Sequence, residues 1–277
     1  ECGADIFNTN SATTNDGSNV GAIGGGLSWD NHSICREGYA VGSFYGYRVA
    51  GIFSDQAEIN QLNATAVANG FDYYQEAQTQ PGDFKYADLN GDGQISEEDM
   101  DVLGNGFPKL NYGLMLNASY KNWDFSVYMY GVLGQDILSY SAMKMSTMTP
   151  SDDCVSNILQ EVVDDAWSTS NTDGAYPRLS ITDLNANTRT SDAWMKKGDF
   201  LKINNIQVGY TLPNNIARTL KMSGARVYAS VQNLACISSY NKYGDPEVGQ
   251  GSVLYTGLDT GRYPIPRTYT FGVNIKF

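Results

Sequence analysis

The last eleven residues of the chain, 267–277, alternate without a break between apolar and polar side chains. A period of two indicates a β-strand with one apolar and one polar face. About 9–11 residues is also the length that crosses a bilayer as a tilted strand. Taken alone, the segment is as typical of the closing strand of a transmembrane β-barrel as of the last strand of a soluble β-sandwich. The apolar phase consists of Tyr269, Phe271, Val273, Ile275 and Phe277.

Two further alternating segments, about 110–120 and 123–132, are separated by the two-residue turn Lys121-Asn122. Long arms joined by such a short turn predict a β-hairpin. Tyr120 and Trp123 place aromatic side chains at the turn end, where membrane barrels have their interfacial aromatic residues. The hairpin therefore favours the barrel interpretation.

Two more strands are predicted at about 200–210 and 226–234. In the first of them the apolar phase slips at Asn204-Asn205, which predicts a β-bulge. Long connections, 130–200 and 233–267, alternate with the short ones. Short turns on one side and long loops on the other are typical of outer-membrane barrels, whereas soluble sandwiches favour short loops at both ends.

Five strands do not close a barrel, because bacterial barrels begin at eight and an open sheet edge does not face lipid. Either further strands lie in 1–54, or the chain is the C-terminal segment of a larger transmembrane antiparallel β-barrel. We favour the second interpretation, which gives an all-β fold with long extracellular loops. Residues 110–277 then hold the last membrane strands, ending with the strand at 267–277.

Residues 1–109 are predicted to form an extracellular loop region. The first 36 residues have the Asn, Ser, Thr and Gly content of a loop, and 37–54 have that of bent β-structure. A short helix is expected over 55–70, ended by Gly70. A second helix is expected in the later loop, over 152–167, from its apolar face.

Residues 88–99 match a calcium loop of the EF-hand type. Gly93 would allow the sharp turn, and Asp99 replaces the usual glutamate at position 12. We expect a bound Ca²⁺ with a structural role, fixing a long loop. The alternative is an Asx-rich turn that satisfies its own backbone. The expected metal ligands are Asp88, Asn90, Asp92, Gln94 and Asp99.

The net charge of -12 and the pI of about 4.4 argue against binding to nucleic acid, which favours basic surfaces. None of the cysteines forms a C-x-x-C pair, so the zinc and thioredoxin-like classes have little support. Cys2 with Cys35 is the most plausible disulfide; buried thiols are the alternative for Cys236. The disulfide state of Cys154 stays open.

No catalytic site is predicted. His32 is the only histidine and lies in polar sequence, which leaves no Ser-His-Asp arrangement without it. Acidic pairs such as Asp152-Asp153 are best explained as a solvated helix face. Aromatic residues in the loops could stack on sugar rings, although packing is the more frequent role of such rings. The candidates for substrate binding are Trp194, Tyr240, Tyr243 and Tyr255.

Several motifs, in order along the chain, resemble the C-terminal third of the SusC/RagA-like TonB-dependent transporters of Bacteroidetes. They are GSFYGY, DLNGDG, GDFLKINNIQVGYTLP and PRTYTFG. The resemblance implies a 22-stranded outer-membrane barrel with an N-terminal plug, and loops outside the cell. It also implies partners: TonB acting through a part absent from this sequence, a SusD-like lipoprotein, and an oligosaccharide or peptide substrate. The terminal Phe277 resembles the family's barrel-assembly signal.

Two alternatives of other classes remain open. The first is a secreted, calcium-stabilised β-sandwich that binds carbohydrate. The second, an extracellular glycoside hydrolase, lacks a supported pair of carboxylates. An outer-membrane barrel would lie against lipid and need detergent for extraction, whereas either alternative would be soluble.

Overall fold

The computed structural model describes residues 32–34, 36, 38–148, 157–219, 221–249 and 255–277. Cys2, Cys35 and Cys154 lie outside these residues, and Cys236 is a free thiol. The chain divides into two compact units. One comprises the described residues up to Gly106 together with Ile137–Lys196 and Gly249–Gly261, and the other comprises Phe107–Asp136, Lys197–Val248 and Arg262–Phe277.

The structure is mostly β-strand, as predicted. Thirteen strands are present in the described residues. They are β1 (Ser33–Ile34), β2 (Ser43–Gly46), β3 (Val49–Ile52), β4 (Phe84–Tyr86), β5 (Asp101–Gly104), β6 (Leu110–Tyr120), β7 (Trp123–Leu133), β8 (Asp136–Ser139), β9 (Met195–Lys197), β10 (Phe200–Thr211), β11 (Gly224–Ser238), β12 (Leu258–Asp259) and β13 (Thr268–Lys276). The helices are α1 (Gln56–Ala68), α2 (Tyr140–Ser146), α3 (Gln160–Asp165) and α4 (Asn214–Thr219), with 3₁₀ turns at Glu97–Asp99, Asp192–Trp194 and Ser239–Lys242.

The unit that contains the chain end is built on one five-stranded antiparallel sheet, in the order β13-β11-β10-β7-β6. These are the five strands that the alternating pattern predicts. The register between β10 and both of its neighbours shifts between Ile203 and Asn205, so the predicted bulge is confirmed. Because β6 and β13 each have one neighbour, the described sheet is open at both edges.

The register sorts the side chains of this sheet onto two faces. Phe125 of β7 is level with Val208 of β10, which is level with Ala229 of β11 and then Phe271 of β13. These positions form the apolar face. One residue along, Asp124, Gly209, Tyr228 and Gly272 are level with one another and belong to the polar face. The two-residue period in the sequence therefore corresponds to the two faces of the sheet, one apolar and one polar.

The other unit contains small sheets and a buried cluster of aromatic and aliphatic side chains. Its sheets are β1-β2-β5, β3-β4 and β12-β8-β9. Phe44, Phe53, Phe84, Tyr86 and Trp194 belong to this cluster. The predicted β-structure of 37–54 is present as β2 and β3.

The helix expected over 55–70 is present as α1. Asp55 accepts a hydrogen bond from the Glu58 N–H and so caps its first turn, as short polar side chains do. Gly70 follows the helix at a φ of 97°, a left-handed conformation that glycine adopts without steric cost. Both helix ends can be explained from the local sequence.

The helix expected over 152–167 is wrong in extent. Only α3 is helical, 157–159 are not, and 151–156 lie outside the described residues. The backbone N–H of Leu159 donates to the Met145 carbonyl at 2.9 Å, and Leu159 has an extended conformation. At the other end Ala166 bridges to Tyr176. Contacts with distant backbone thus replace the helical turns that the apolar pattern predicts.

Among the described residues, no helix is both long and apolar enough to cross a membrane.

Candidate functional site

The acidic loop 88–99 folds around hydrogen bonds from its own backbone. The Asp88 carboxylate accepts from the N–H of Gly91 at 2.6 Å and from that of Gly93 at 2.8 Å. Asn90 Oδ1 accepts from Asp92 N at 2.9 Å, and Asp92 Oδ1 accepts from Gln94 N at 2.8 Å. Each of these oxygens holds the chain in a turn. This part of the arrangement is the one that the Asx-turn alternative expects.

Asp99 closes the loop from inside. Its side chain is buried and accepts from the N–H groups of Leu89 (2.8 Å), Asn90 (3.3 Å) and Ser96 (2.8 Å). Ser96 also caps the short 3₁₀ turn that carries Asp99, by accepting from Glu98 N. The two ends of the loop are therefore joined by one carboxylate, at the position where an EF-hand loop supplies its last ligand.

The loop is docked against Asn69, which caps the C-terminal end of α1, and against Tyr74. The Asn69 side chain donates to the Asp92 carbonyl at 2.7 Å, and Ile95 N donates to the Tyr74 carbonyl at 2.6 Å. Burial, together with the negative charge of Asp88, raises the pKa of Tyr74 to about 12. The phenol therefore stays protonated and donates to the Tyr86 carbonyl at 2.8 Å. These contacts preorganise the loop whether or not it holds a cation.

The five predicted ligands stand in one loop, but they do not form a finished metal cage. Within the described ranges, no three Asp, Glu, His or Cys side chains converge as a group that could hold a metal ion. Asn90 Nδ2 instead donates to Asp92 Oδ2 at 3.0 Å and to Glu98 Oε2 at 3.3 Å. The donor set is nevertheless the hard-oxygen type that suits Ca²⁺, because carboxylates keep lone pairs beyond those used by the backbone.

The polar face of the large sheet carries an ion pair that spans three strands. Arg226 of β11 donates to both carboxylate oxygens of Asp124 on β7, with Nε to Oδ1 at 3.0 Å. Gly209 of β10 lies between them, and a Cβ there would overlap both charged groups. Because Gly209 on the middle strand has no side chain, Arg226 and Asp124 can form their ion pair across it.

A second charged cluster fastens a loop to the same face. Lys202 of β10 has a side chain only 4% exposed and pairs with Glu247, while Asp245 Oδ2 lies 3.4 Å away. Tyr130 of β7 donates to Glu247 Oε1 at 2.5 Å, and Arg262 donates to the Glu247 carbonyl. The segment that contains Glu247 is therefore held against β7 and β10. The sequence alone does not reveal this cluster; its one local signal is a lysine in the polar phase of a strand.

The four aromatic candidates for substrate binding divide between the two units. Trp194 and Tyr240 are buried. Trp194 packs edge-on against Phe84 at 5.8 Å between ring centres. Tyr243 and Tyr255 keep partial exposure. Both buried rings are surrounded by protein rather than by open solvent.

His32 and Phe277 occupy opposite environments. His32 is fully buried and stacks on Tyr255 at 5.9 Å, which is a packing environment rather than that of a base in a cleft. Phe277 follows β13 directly and is highly exposed.

Comparison with curated proteins shows relatives that span nearly the whole chain. TonB-dependent receptor P3 of Formosa agariphila is 31% identical over 250 residues, which is 88% of this chain and 23% of that protein. TonB-dependent receptor SusC of Bacteroides thetaiotaomicron is 29% identical over 262 residues, 91% of this chain and 24% of the relative. The chain thus spans about a quarter of the length of these proteins. They are named receptors, not enzymes. No protein-family model matches the chain.

Solved structures show the same relationship at the level of the fold. The RagAB peptide transporter aligns with a TM-score of 0.65 and 19% identity, covering 89% of this chain and 24% of that one. The RagAB peptide importer in its closed-closed state aligns with a TM-score of 0.62 and 20% identity. The fold described above therefore matches that of a segment of these transporter structures.

Proposed function

Because the chain belongs to the SusC/RagA-like TonB-dependent receptors, we propose that it is the C-terminal wall segment of an outer-membrane barrel that imports nutrients. The observation that carries the proposal is the exposed apolar face of the five-stranded sheet. The first large strand, β6, and the last, β13, would pair with strands outside this sequence, up to the 22 of the family. The long loops would lie outside the cell.

The apolar face exposes many large side chains, which is unusual for the surface of a soluble protein. Large apolar side chains on β6, β7 and β13 remain exposed, among them Leu114, Trp123 and Phe271, the last of these 81% exposed. Soluble proteins rarely expose contiguous apolar patches above a few hundred Å². In a bilayer the same face lies against lipid tails, and the backbone of each inner strand is satisfied by its neighbours. The β-sandwich alternative would need a second sheet across this face.

The import function requires partners beyond this chain. We propose that TonB acts through an N-terminal plug on the complete polypeptide, and that a SusD-like surface lipoprotein delivers the substrate. An oligosaccharide is the proposed cargo, and a peptide is the alternative that the names of the RagAB structures raise. No step of covalent chemistry is assigned to this chain.

Uptake by intact cells tests this function. A strain that lacks the complete gene is compared with the same strain carrying it, using labelled oligosaccharides and labelled peptides as separate probes. We expect gene-dependent uptake that stops when TonB is deleted. Uptake that is independent of the gene, or of TonB, would contradict the proposal.

We further propose that the acidic loop binds one Ca²⁺ through Asp88, Asn90, Asp92, the Gln94 carbonyl and Asp99. Support comes from the sequence spacing and from the loop's preformed turn. The cation would be structural, and would be held by oxygen ligands as Ca²⁺ prefers. Binding would require Asp88 and Asp92 to turn carboxylate oxygens toward the cation.

Removing two of the proposed ligands, with Asp88→Ala and Asp92→Ala, should abolish the bound calcium. We expect the wild-type protein to hold about one Ca²⁺ per chain more than the variant and to lose thermal stability on chelation. Metal content is measured by mass spectrometry after gel filtration. The matched control, Asp72→Ala with Asp173→Ala, removes two acids from exposed positions outside the loop. Equal calcium in wild type and ligand variant would refute the site.

Replacing Phe277 with alanine should lower the amount of assembled barrel more than the stability of the barrel that forms. The ring is exposed beyond β13 and contributes little packing. Its proposed role is recognition during assembly. The readout is the outer-membrane level together with the melting temperature of the extracted fraction. Phe271→Ala, another exposed ring on the same strand, serves as the control. Normal outer-membrane levels of Phe277→Ala would count against an assembly signal.

A further inference from the structure

A cleft of about 630 Å³ lies along β6, β7 and the start of β10. It is at the end of the sheet opposite the Lys121-Asn122 turn. All its lining residues belong to the unit that contains the large sheet. The volume falls within the roughly 300–1,000 Å³ of typical ligand sites. The lining residues that matter here are Asn111, Tyr128, Tyr130, Gln135, Phe200 and Glu247.

Aromatic rings form one wall of the cleft. Tyr128 and Tyr130 are stacked, with ring centres 5.8 Å apart and planes 26° from parallel. Phe200 meets Tyr130 edge-on at 6.0 Å, and the Tyr130 hydroxyl donates a hydrogen bond to Glu247. Tyr130 is thereby fixed on two sides. Tyr128 is 40% exposed, so it is the ring with surface available to a ligand.

The lining of the cleft offers few charged groups to a ligand. Of the described residues that line it, Glu247 alone has a charged side chain, and that charge is paired with Lys202. The other polar groups include the side-chain amides of Asn111 and Gln135. A charged peptide would find no opposite charge left unpaired among these lining residues. A sugar ring would find a flat aromatic surface for its C–H groups and amides suited to hydroxyls.

We propose that this cleft is a saccharide subsite, in which one ring of an uncharged oligosaccharide stacks on Tyr128 and a neighbouring sugar unit, further along the strands, bonds to Asn111. The inference rests on the proposed import function, since it takes the polar side of the sheet as the wall of the transport path. The loop segment with Glu247 acts as a positioning element. It holds the Tyr130 ring against that of Tyr128, so that the exposed surface of Tyr128 is available to the ligand.

The test uses the complete transporter with its lipoprotein in the native membrane. The probes are labelled six-unit oligomers of glucose, mannose and xylose, and uptake is measured against concentration. Tyr128→Ala and Tyr128→Leu should each raise the apparent KM for an imported oligomer about three- to tenfold, the scale of an aromatic contact. Tyr128→Phe keeps the ring and should remain within about twofold of wild type.

Met115→Ala is the matched control. Met115 lies directly across from Tyr128 on β6 and on the same face, is exposed, and does not line the cleft. Its KM should equal that of wild type. Outer-membrane levels of each variant are measured, so that a folding defect shows as a lower maximal rate rather than a raised KM.

Two results overturn the subsite while leaving the import function intact. One is a wild-type KM in Tyr128→Leu and Tyr128→Ala, and the other is an equal rise in Met115→Ala. Failure of the wild-type transporter to take up any of the three oligomers would overturn the proposed saccharide cargo and the subsite with it. Peptide uptake measured in the same strains distinguishes that result from loss of import altogether.

Discussion

Gly131→Ala is expected to prevent most of the chain from reaching the assembled state. Gly131 lies on β7 between Tyr112 of β6 and Leu201 of β10. A Cβ there would come closer than 3.0 Å to the Phe200 carbonyl oxygen and to the Tyr112 hydroxyl, nearer than real side chains approach. The Phe200 oxygen belongs to the backbone, so it cannot move aside as the end of a flexible side chain can. We expect a cost of about 3 kcal/mol, at the upper end of over-packing.

The same glycine is covered by an aromatic ring. The Tyr112 hydroxyl crosses β7 and donates to the Phe200 carbonyl at 3.0 Å. Adding Tyr112→Phe to Gly131→Ala removes only the hydroxyl, so the backbone clash remains and little rescue is expected. The readout is the fraction of outer-membrane protein that migrates as a folded barrel on unheated denaturing gels.

Gly113→Ala provides the control for Gly131→Ala. Gly113 lies on the adjacent strand, and a Cβ there would meet only the Met129 carbonyl oxygen, at 3.7 Å, an ordinary contact. We expect assembly close to wild type. Equal assembly of Gly131→Ala and Gly113→Ala would show that the close approach of β7 to β10 is not required.

Lys202→Met should release the loop segment that Glu247 holds against the sheet. Lys202 is the buried member of its ion pair. Removing one partner of a buried pair costs about 3–5 kcal/mol, because the remaining charge is left without compensation. Glu247 is partly exposed, so we expect the lower end of that range, with Glu247 turning toward water. Proteolysis of the extracted protein, followed by mass spectrometry, should show new cleavage between 243 and 249.

Lys197→Met is the control for charge alone. Lys197 also forms an ion pair, with Asp136 at 2.7 Å, but its side chain is 76% exposed. Exposed pairs contribute about 0–1 kcal/mol, so no new cleavage is expected. Adding Glu247→Leu to Lys202→Met removes both charges of this pair and leaves only the more distant Asp245 without its lysine, so part of the stability should be recovered. Protection of the segment in Lys202→Met equal to that in wild type would contradict its fastening role.

The strands of the large sheet could be predicted because their signal is local. Alternation of apolar and polar residues is a property of each segment, and so is the phase slip at Asn204-Asn205 that marks the bulge. The start of α1 was equally local, since Asp55 caps it from one position before the first turn. The prediction of a helix over 152–167 was wrong in extent, because Leu159 hydrogen-bonds to Met145, which lies outside the segment with the apolar pattern.

The charged cluster of the polar face could not be predicted in the same way. Tyr130 and Glu247 are separated by 117 positions, and Lys202 and Glu247 by 45. Their contact depends on a loop that folds back onto the strands, and no periodic pattern in the sequence predicts such a contact. The acidic loop is the opposite case: its ligand spacing can be recognised in the sequence, while the structure adds the hydrogen bonds by which its own side chains hold the turn.

Lipid contact along β13 is the most direct test of the central claim, that this sheet is the wall of a membrane barrel. Spin labels are placed one at a time on successive residues from 269 to 275, in the complete protein in its membrane, with the native cysteines replaced by serine. We predict collision with dissolved oxygen at Tyr269, Phe271, Val273 and Ile275, and with a water-soluble nickel chelate at the positions between them. Equal exposure of both phases to the nickel chelate would contradict the account.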